Sequence, residues 1–129
     1  MKKEISGTID DWGSPIIDCY IANVEETKSY KVIGLIDTGS YHFHLKKQII
    51  DNLELESISK IKSNLPMAGI EDLNAYSALA SIGKGVFNIV VCHMKDTFNY
   101  DFIIGTQFIK GKNFSYNWEN KIWSITFNS

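Results

Sequence analysis

One segment of the sequence has the residue types needed for acid–base chemistry. An apolar run at 32–36 leads directly into Asp37, Thr38, Gly39 and Ser40. A strand of this kind would carry the Asp37 carboxylate to the edge of a core, where water is scarce. Glycine allows an unusual backbone turn and a close approach of its N–H group, and short hydroxyl side chains can orient a charge. The segment therefore predicts a catalytic Asp37 supported by Thr38, Gly39 and Ser40. The alternative is an ordinary strand-to-turn junction, because Asp and Gly are common in turns.

Most of the remaining sequence favours strands over helices. Short runs rich in β-branched and aromatic residues are separated by Gly, Asn and Asp. They predict strands at 16–24, 30–36, 41–45, 74–82, 86–93, 114–118 and 121–127. Helical spacing of apolar residues occurs at 46–55, and a further helical turn is expected at 106–110. Many short strands with one short helix predict an all-β chain, a closed and mostly antiparallel β-barrel, in a single domain over 1–129.

Charge and hydropathy exclude several classes of partner. The 13 basic and 15 acidic residues give a net charge of −2, which offers no electrostatic attraction to nucleic acid or to an anionic membrane. No apolar run approaches the roughly 20 residues that a membrane-spanning helix needs. The charged start is not followed by the apolar region of a secretory signal. We therefore expect no nucleic-acid or membrane partner and a cytoplasmic location.

A second apolar segment connects the Asp37 region to a known family. Residues 101–105 end in Ile103, Ile104 and Gly105. With the Asp-Thr-Gly-Ser segment at 37–40, they resemble the retropepsin-like family of aspartic peptidases. In that family, two apolar residues and a glycine follow the Asp-Thr-Gly loop along the chain and form a strand that packs on it. The resemblance implies that Ile103, Ile104 and Gly105 are this loop-packing strand.

The resemblance extends over 16–127 and implies the remaining parts of the site. It predicts a barrel of the acid-protease type, half of a pepsin-like fold. The flap that folds over the substrate would be formed by Met67, Ala68, Gly69 and Ile70. Two departures are present. The flap region carries Glu71 and Asp72, and Thr106 stands where viral members often have arginine.

Aspartic peptidases need two carboxylates, and this sequence supplies one copy of the motif. Two carboxyl groups a few Å apart share one proton. The ionised group activates a water molecule, and the protonated group assists the carbonyl and the leaving nitrogen. Only Asp37 begins an Asp-Thr-Gly, since Asp96 and Thr97 are followed by Phe98. We therefore expect a homodimer that hydrolyses polypeptide substrates without a cofactor. By the resemblance, Thr38 of each copy braces the two loops.

Two histidines suggest a metal site as an alternative. Residues i and i+2 of a strand face the same side, so His42 and His44 could bind one ion. A third ligand is not apparent nearby, because His93 is distant in the sequence. We predict no metal, with both histidines on the outer face of the strand and Phe43 and Leu45 turned inward.

Other nucleophiles are less consistent with the sequence. Cys19 and Cys92 lie in apolar runs and are expected to be buried and reduced. Cys92 and His93 cannot form a catalytic pair on a strand, because neighbouring side chains point to opposite faces. Ser40 lacks the Gly-x-Ser-x-Gly context of a serine nucleophile. The main alternative is a catalytically silent, dimeric binding or scaffold module with the same fold, since fold does not fix function.

Overall fold

Strands form most of the chain. The computed structural model describes residues 1–65 and 69–128, with the side chains of all of these except 62–65 and 69–72. The strands in this part are β1 (Lys2–Ile9), β2 (Pro15–Ala22), β3 (Ser29–Ile36), β4 (Phe43–Lys46), β5 (Ser57–Leu65), β6 (Gly69–Ile82), β7 (Gly85–Met94), β8 (Phe102–Ile104), β9 (Asn113–Asn117) and β10 (Ile122–Asn128). Two short helices accompany them, α1 (Lys47–Asn52) and α2 (Thr106–Ile109). None of the helices described is long and apolar enough to cross a membrane.

Six of the strands close into a barrel. They are hydrogen-bonded in the order β6, β7, β4, β8, β3 and β2, and β2 pairs again with β6. On one side β5 pairs with β6, and on the other β1, β10 and β9 continue the sheet from β2. The pairs β3–β8 and β4–β7 are parallel, whereas the other pairs are antiparallel. The predicted fold class, a closed and mostly antiparallel barrel, is confirmed.

The structure corrects the predicted elements in three places. The sequence does not predict strands β1 and β5, because their strongly apolar residues are few and do not alternate regularly with polar ones. Strand β6 begins at residue 69 rather than 74. The helix predicted over 46–55 is only α1, and Glu54 beyond it has a left-handed backbone with a φ of 54°, a conformation that ends a helix.

The largest buried side chain joins β10 to the start of the barrel. Trp123 is 0% exposed, and its Nε1–H donates to the carbonyl oxygen of Ile16 at 2.8 Å. A Cβ atom on Gly7 would lie 2.6 Å from the indole ring, so the residue facing Trp123 on β1 has to be glycine. Burial alternates at the start of β10, since Trp123 and Ile125 are buried and Ile122 is exposed.

Replacing Trp123 by phenylalanine should destabilise the fold. Trp123→Phe removes the donor to Ile16 and leaves a buried carbonyl without that bond, which costs about 1–3 kcal/mol of unfolding free energy. The matched control is Trp118→Phe, because Trp118 lies half exposed at the turn of the same hairpin. Urea unfolding of both variants checks this expectation. Equal stabilities for the two would contradict it.

Candidate active site

Asp37 lies directly after β3 and is held by backbone groups. Its N–H donates to the carbonyl oxygen of Ile104 at 3.0 Å, which ties the start of the loop to β8. Its carboxylate accepts the N–H of Gly39 on Oδ1 at 2.8 Å, and its carbonyl oxygen accepts the N–H of Ser40 at 3.2 Å. Asp37 is half-buried, whereas Thr38 and Gly39 are exposed. The result is a fixed carboxylate that remains accessible from solvent.

The segment that follows β8 packs against the same loop. β8 lies parallel to β3 with Ile104 beside Ile36, and Ile103 and Ile104 are fully buried. A Cβ atom on Gly105 would clash with the carbonyl groups of Tyr41 and His42, so only glycine permits this approach.

Helix α2 continues this attachment. The Thr106 N–H donates to the carbonyl oxygen of Ser40 at 2.7 Å, and the Gln107 N–H donates to that of Tyr41 at 3.1 Å. The structure thus brings Ile103, Ile104 and Gly105 together with the Asp37 loop.

Gly39 brings its N–H close to the Asp37 carboxylate as expected, but it lacks the expected unusual backbone turn, and Ser40 has a different partner. Among the described glycines, left-handed backbones occur at Gly13, Gly83 and Gly111, so Gly39 does not need glycine for an unusual turn. A Cβ atom there would instead lie 3.2 Å from Asp37 Oδ1, close to the bonded carboxylate. The Ser40 hydroxyl donates to the carbonyl oxygen of His42 at 3.1 Å rather than orienting the Asp37 charge.

The predicted flap falls largely outside what the structure describes. Met67 and Ala68 lie outside the described residues. Gly69 and Ile70 begin β6, where they pair with Leu65 and Asn64 of β5. Their side chains are also outside the described part, so the substrate contacts expected of the flap remain a prediction.

His44 is buried, which corrects the prediction of an outward-facing histidine. β4 pairs with β7 and β8 along its two edges, and successive side chains on both of its faces are buried. Phe43 and Leu45 pack in the main core as expected, but His44 is 0% exposed on the opposite face. There it lies beside Cys92 of β7 and Ile103 of β8. The local His-x-His pattern is typical of an exposed strand face, and nothing in it indicates a central strand.

The surroundings of His44 favour its neutral form. The pKa of His44 is lowered to about 4, mainly by burial and also by the nearby His42 and His93, while a hydrogen bond with the His42 backbone and the charge of Asp37 act in the opposite direction. These interactions place Asp37 and the other two histidines within electrostatic range of His44. No group of three or more His, Cys, Asp or Glu residues in the described part of the chain is arranged to hold a metal ion.

The two cysteines are buried as predicted and are not joined by a disulfide. Burial raises the pKa of the Cys19 thiol to about 12. A thiol in this state is not a nucleophile near neutral pH.

The turn that follows β1, which lies at the same end of the sheet as Asp37, was not predicted from the sequence. Asp10 Oδ1 accepts the N–H groups of Trp12 and Ser14 at 2.9 Å each, and Oδ2 accepts the Tyr100 hydroxyl at 2.7 Å. With Asn99, these residues line a hollow of about 590 Å³. The Asp-x-x-Gly-Ser turn that follows β1 was the available sequence signal.

Register places this hollow at the Asp37 end of the barrel. β2 is antiparallel to β3, with Ile16 opposite Leu35. Ser14 comes two residues before Ile16, and Asp37 comes two residues after Leu35. Continuing the register therefore puts Ser14 at the same edge of the sheet as Asp37.

Solved structures with the same architecture identify the fold. A retropepsin-like aspartic protease from Rickettsia conorii superposes with a TM-score of 0.65 at 17% identity, covering 98% of this chain and 92% of that chain. The chain has a retropepsin-like fold. The retroviral protease-like domain of Ddi1 from Leishmania major gives a TM-score of 0.53 at 13% identity, covering 85% of this chain and 86% of that one. The sequence matches no family model and no curated protein, so the likeness is one of structure.

The buried His44 predicts acid sensitivity of this retropepsin-like fold. The pKa of His44 is lowered from 6.5 to about 4 in the folded chain. Between these two pH values His44 binds a proton in the unfolded chain but not in the folded chain. The contribution of neutral His44 to stability is therefore complete above pH 6.5 and is lost as the pH falls towards 4. The total loss should be on the order of 2–4 kcal/mol.

Comparing His44→Asn with wild type isolates this effect. Urea unfolding at about pH 7 and about pH 4.5 should show a smaller acid-induced loss in His44→Asn than in wild type. His42→Asn, at the half-buried histidine two residues away, removes a smaller contribution to the lowered pKa of His44, so it should reduce the loss by less than His44→Asn does. The same pH dependence of stability in wild type and His44→Asn would show that His44 does not cause the acid-induced loss.

Proposed function

We propose that this chain is an aspartic endopeptidase that acts as a homodimer, with Asp37 of each copy forming the catalytic dyad. The observation that carries the proposal is the Asp37 loop itself. The half-buried Asp37 follows the buried Ile36 at the end of β3, its carboxylate accepts the Gly39 N–H, and its own N–H donates to the carbonyl oxygen of Ile104. The retropepsin-like fold supports it, because a protein of this fold from Rickettsia conorii is described as an aspartic protease.

The geometry suits a carboxylate that shares a proton. The Gly39 N–H holds Oδ1, which leaves Oδ2 of Asp37 to face a second carboxyl group or a water molecule. When two such groups lie a few Å apart, one proton is shared because both cannot ionise together. The ionised group removes a proton from the attacking water, while the protonated group hydrogen-bonds the developing oxyanion. That proton then passes to the leaving nitrogen.

A second copy is required because the sequence contains a single Asp-Thr-Gly. In a dimer with twofold symmetry, the same surface of each copy meets at the axis. The exposed Thr38 and Gly39 adjoin Asp37, so they would lie at that axis.

A groove beside the loop supports the same dimer surface. It has a volume of about 360 Å³ and is lined by Thr38, Tyr41, Thr106, Ile109, Lys110, Gly111 and Lys112. Tyr41 is 54% exposed although its carbonyl group is held in the loop. A large aromatic surface next to Thr38 suits contact with a second copy of this chain.

Loss of the Asp37 carboxylate should abolish hydrolysis. We expect wild type to cleave a diverse peptide library between about pH 4 and pH 7, the range open to a shared-proton dyad. Asp37→Asn should show no cleavage above background, and Asp18→Asn, at an exposed aspartate of β2, should match wild type. Mass spectrometry of the products gives the cleavage sites.

Different outcomes separate the candidate functions. Equal cleavage by wild type and Asp37→Asn would contradict the peptidase proposal. Peptide binding by both forms without cleavage by either would favour the silent binding module. Specific activity that rises with protein concentration would support a dimeric active site.

A charge at Tyr41 should weaken the proposed dimer. Tyr41→Lys places a third cation in the groove that already contains Lys110 and Lys112. We expect the dissociation constant to rise by roughly tenfold or more, or about 1.4 kcal/mol. Tyr20→Lys is the control, because Tyr20 is 52% exposed on β2. Sedimentation equilibrium measures both. Equal dissociation constants for the two variants would place the dimer surface elsewhere.

A further inference from the structure

A buried serine and a buried histidine meet beneath the candidate active site. Ser40 is 3% exposed and His44 is 0% exposed. Ser40 Oγ lies 3.1 Å from the carbonyl oxygen of His42 and 3.4 Å from Nδ1 of His44. The aspartic dyad needs neither of these side chains for its proton transfers, so their contact calls for a separate explanation.

Counting protons gives this contact a direction. The Ser40 hydroxyl has one hydrogen, and it is donated to the His42 carbonyl oxygen. The contact with His44 is then a hydrogen bond only if Nδ1 carries a proton and donates to Ser40 Oγ. Two bonds follow in sequence, from the His44 imidazole to the Ser40 hydroxyl and from that hydroxyl to His42.

The bonds from His44 to Ser40 and from Ser40 to His42 join residues that contact both the Asp37 loop and the β8–α2 junction. Ser40 donates its N–H to the carbonyl oxygen of Asp37 and accepts the Thr106 N–H at its own carbonyl. The His42 carbonyl lies against Gly105, where a Cβ atom would not fit. Fixing Ser40 and His42 therefore fixes the loop on the side that follows Asp37.

We propose that His44 is a positioning residue, which holds the Asp37 loop against the β8–α2 junction by donating from Nδ1 to Ser40. This role rests on the proposed peptidase function. The geometry of the loop can nevertheless be measured without any activity.

The charges around His44 are consistent with a neutral imidazole in this role. Asp37 from the loop, His42 from the residues before β4 and His93 from β7 all act on it electrostatically, and Cys92 lies beside it on β7. Burial keeps the pKa of His44 near 4, so the ring is neutral at higher pH. A neutral ring can hold one Nδ1 proton without placing a positive charge beside Asp37.

The tautomer of His44 tests the proposal directly. Long-range nitrogen–proton NMR of wild type at about pH 6.5 should show His44 with protonated Nδ1 and unprotonated Nε2. The opposite tautomer, with the proton on Nε2, would overturn the proposal, because Nδ1 could not then donate to Ser40.

Variants test whether the bond positions the loop. His44→Leu removes the donor, Ser40→Ala removes the acceptor, and His44→Asn retains a side-chain donor near the Nδ1 position. We expect kcat to fall at least roughly tenfold in the first two with KM changed by about twofold or less, since small displacements of catalytic groups lower kcat strongly. His44→Asn should recover kcat to within about threefold of wild type, and His42→Asn is the matched control.

Hydrogen exchange separates this inference from the proposed function. The backbone N–H of Asp37 donates to Ile104, and that of Thr106 donates to Ser40. Both amides should exchange at least roughly tenfold faster in His44→Leu and Ser40→Ala than in wild type. In His44→Asn they should exchange at the wild-type rate. Unchanged exchange and kcat in folded His44→Leu and Ser40→Ala would overturn the positioning role. If His44→Leu and Ser40→Ala exchange faster but wild type shows no Asp37-dependent cleavage, the positioning role stands and the peptidase proposal is refuted.

Discussion

The close approach of the β8–α2 junction to the Asp37 loop is the constraint on which the candidate site depends. Gly105 lies so near the carbonyl groups of Tyr41 and His42 that a side chain would not fit. This close approach allows two backbone hydrogen bonds, from the Asp37 N–H to the Ile104 carbonyl oxygen and from the Thr106 N–H to the Ser40 carbonyl oxygen. The loop is therefore fixed from both ends by backbone bonds. Its carboxylate can remain partly exposed because its position does not depend on being buried in the core.

The barrel supports this contact by burying both faces of its central strands. Phe43 and Leu45 of β4 pack in the main core, whereas His44 points to the other side with Cys92 and Ile103. A polar imidazole in that position needs a hydrogen-bonding partner, because an unpaired buried polar group is costly. Ser40 provides one partner, and in doing so connects the buried side of β4 to the loop that carries Asp37.

The sequence predicted the parts of the molecule that have a local signature. The apolar run before Asp37 and most of the short strands follow from composition and spacing, and the packing of the Ile-Ile-Gly segment on the loop follows from the resemblance to the retropepsin-like family. Strands β1 and β5 could not be predicted, because their polar residues are stabilised by pairing with distant strands. His44 is buried together with its neighbours Cys92 and Ile103 on the same face of the sheet, which the His-x-His pattern does not reveal. The Ser40 bond to His42 likewise depends on the turn of the backbone.

The central claim is that an active site contains Asp37 from two copies of this chain, and subunit mixing tests it most directly. A fixed amount of wild type is equilibrated with increasing amounts of Asp37→Asn, and peptide cleavage is measured after exchange of subunits. If each active site needs two carboxylates, mixed dimers are inactive, and cleavage should fall as the variant captures wild-type chains. Cleavage that stays constant while mixed dimers form would contradict the account, because one Asp37 would then be sufficient.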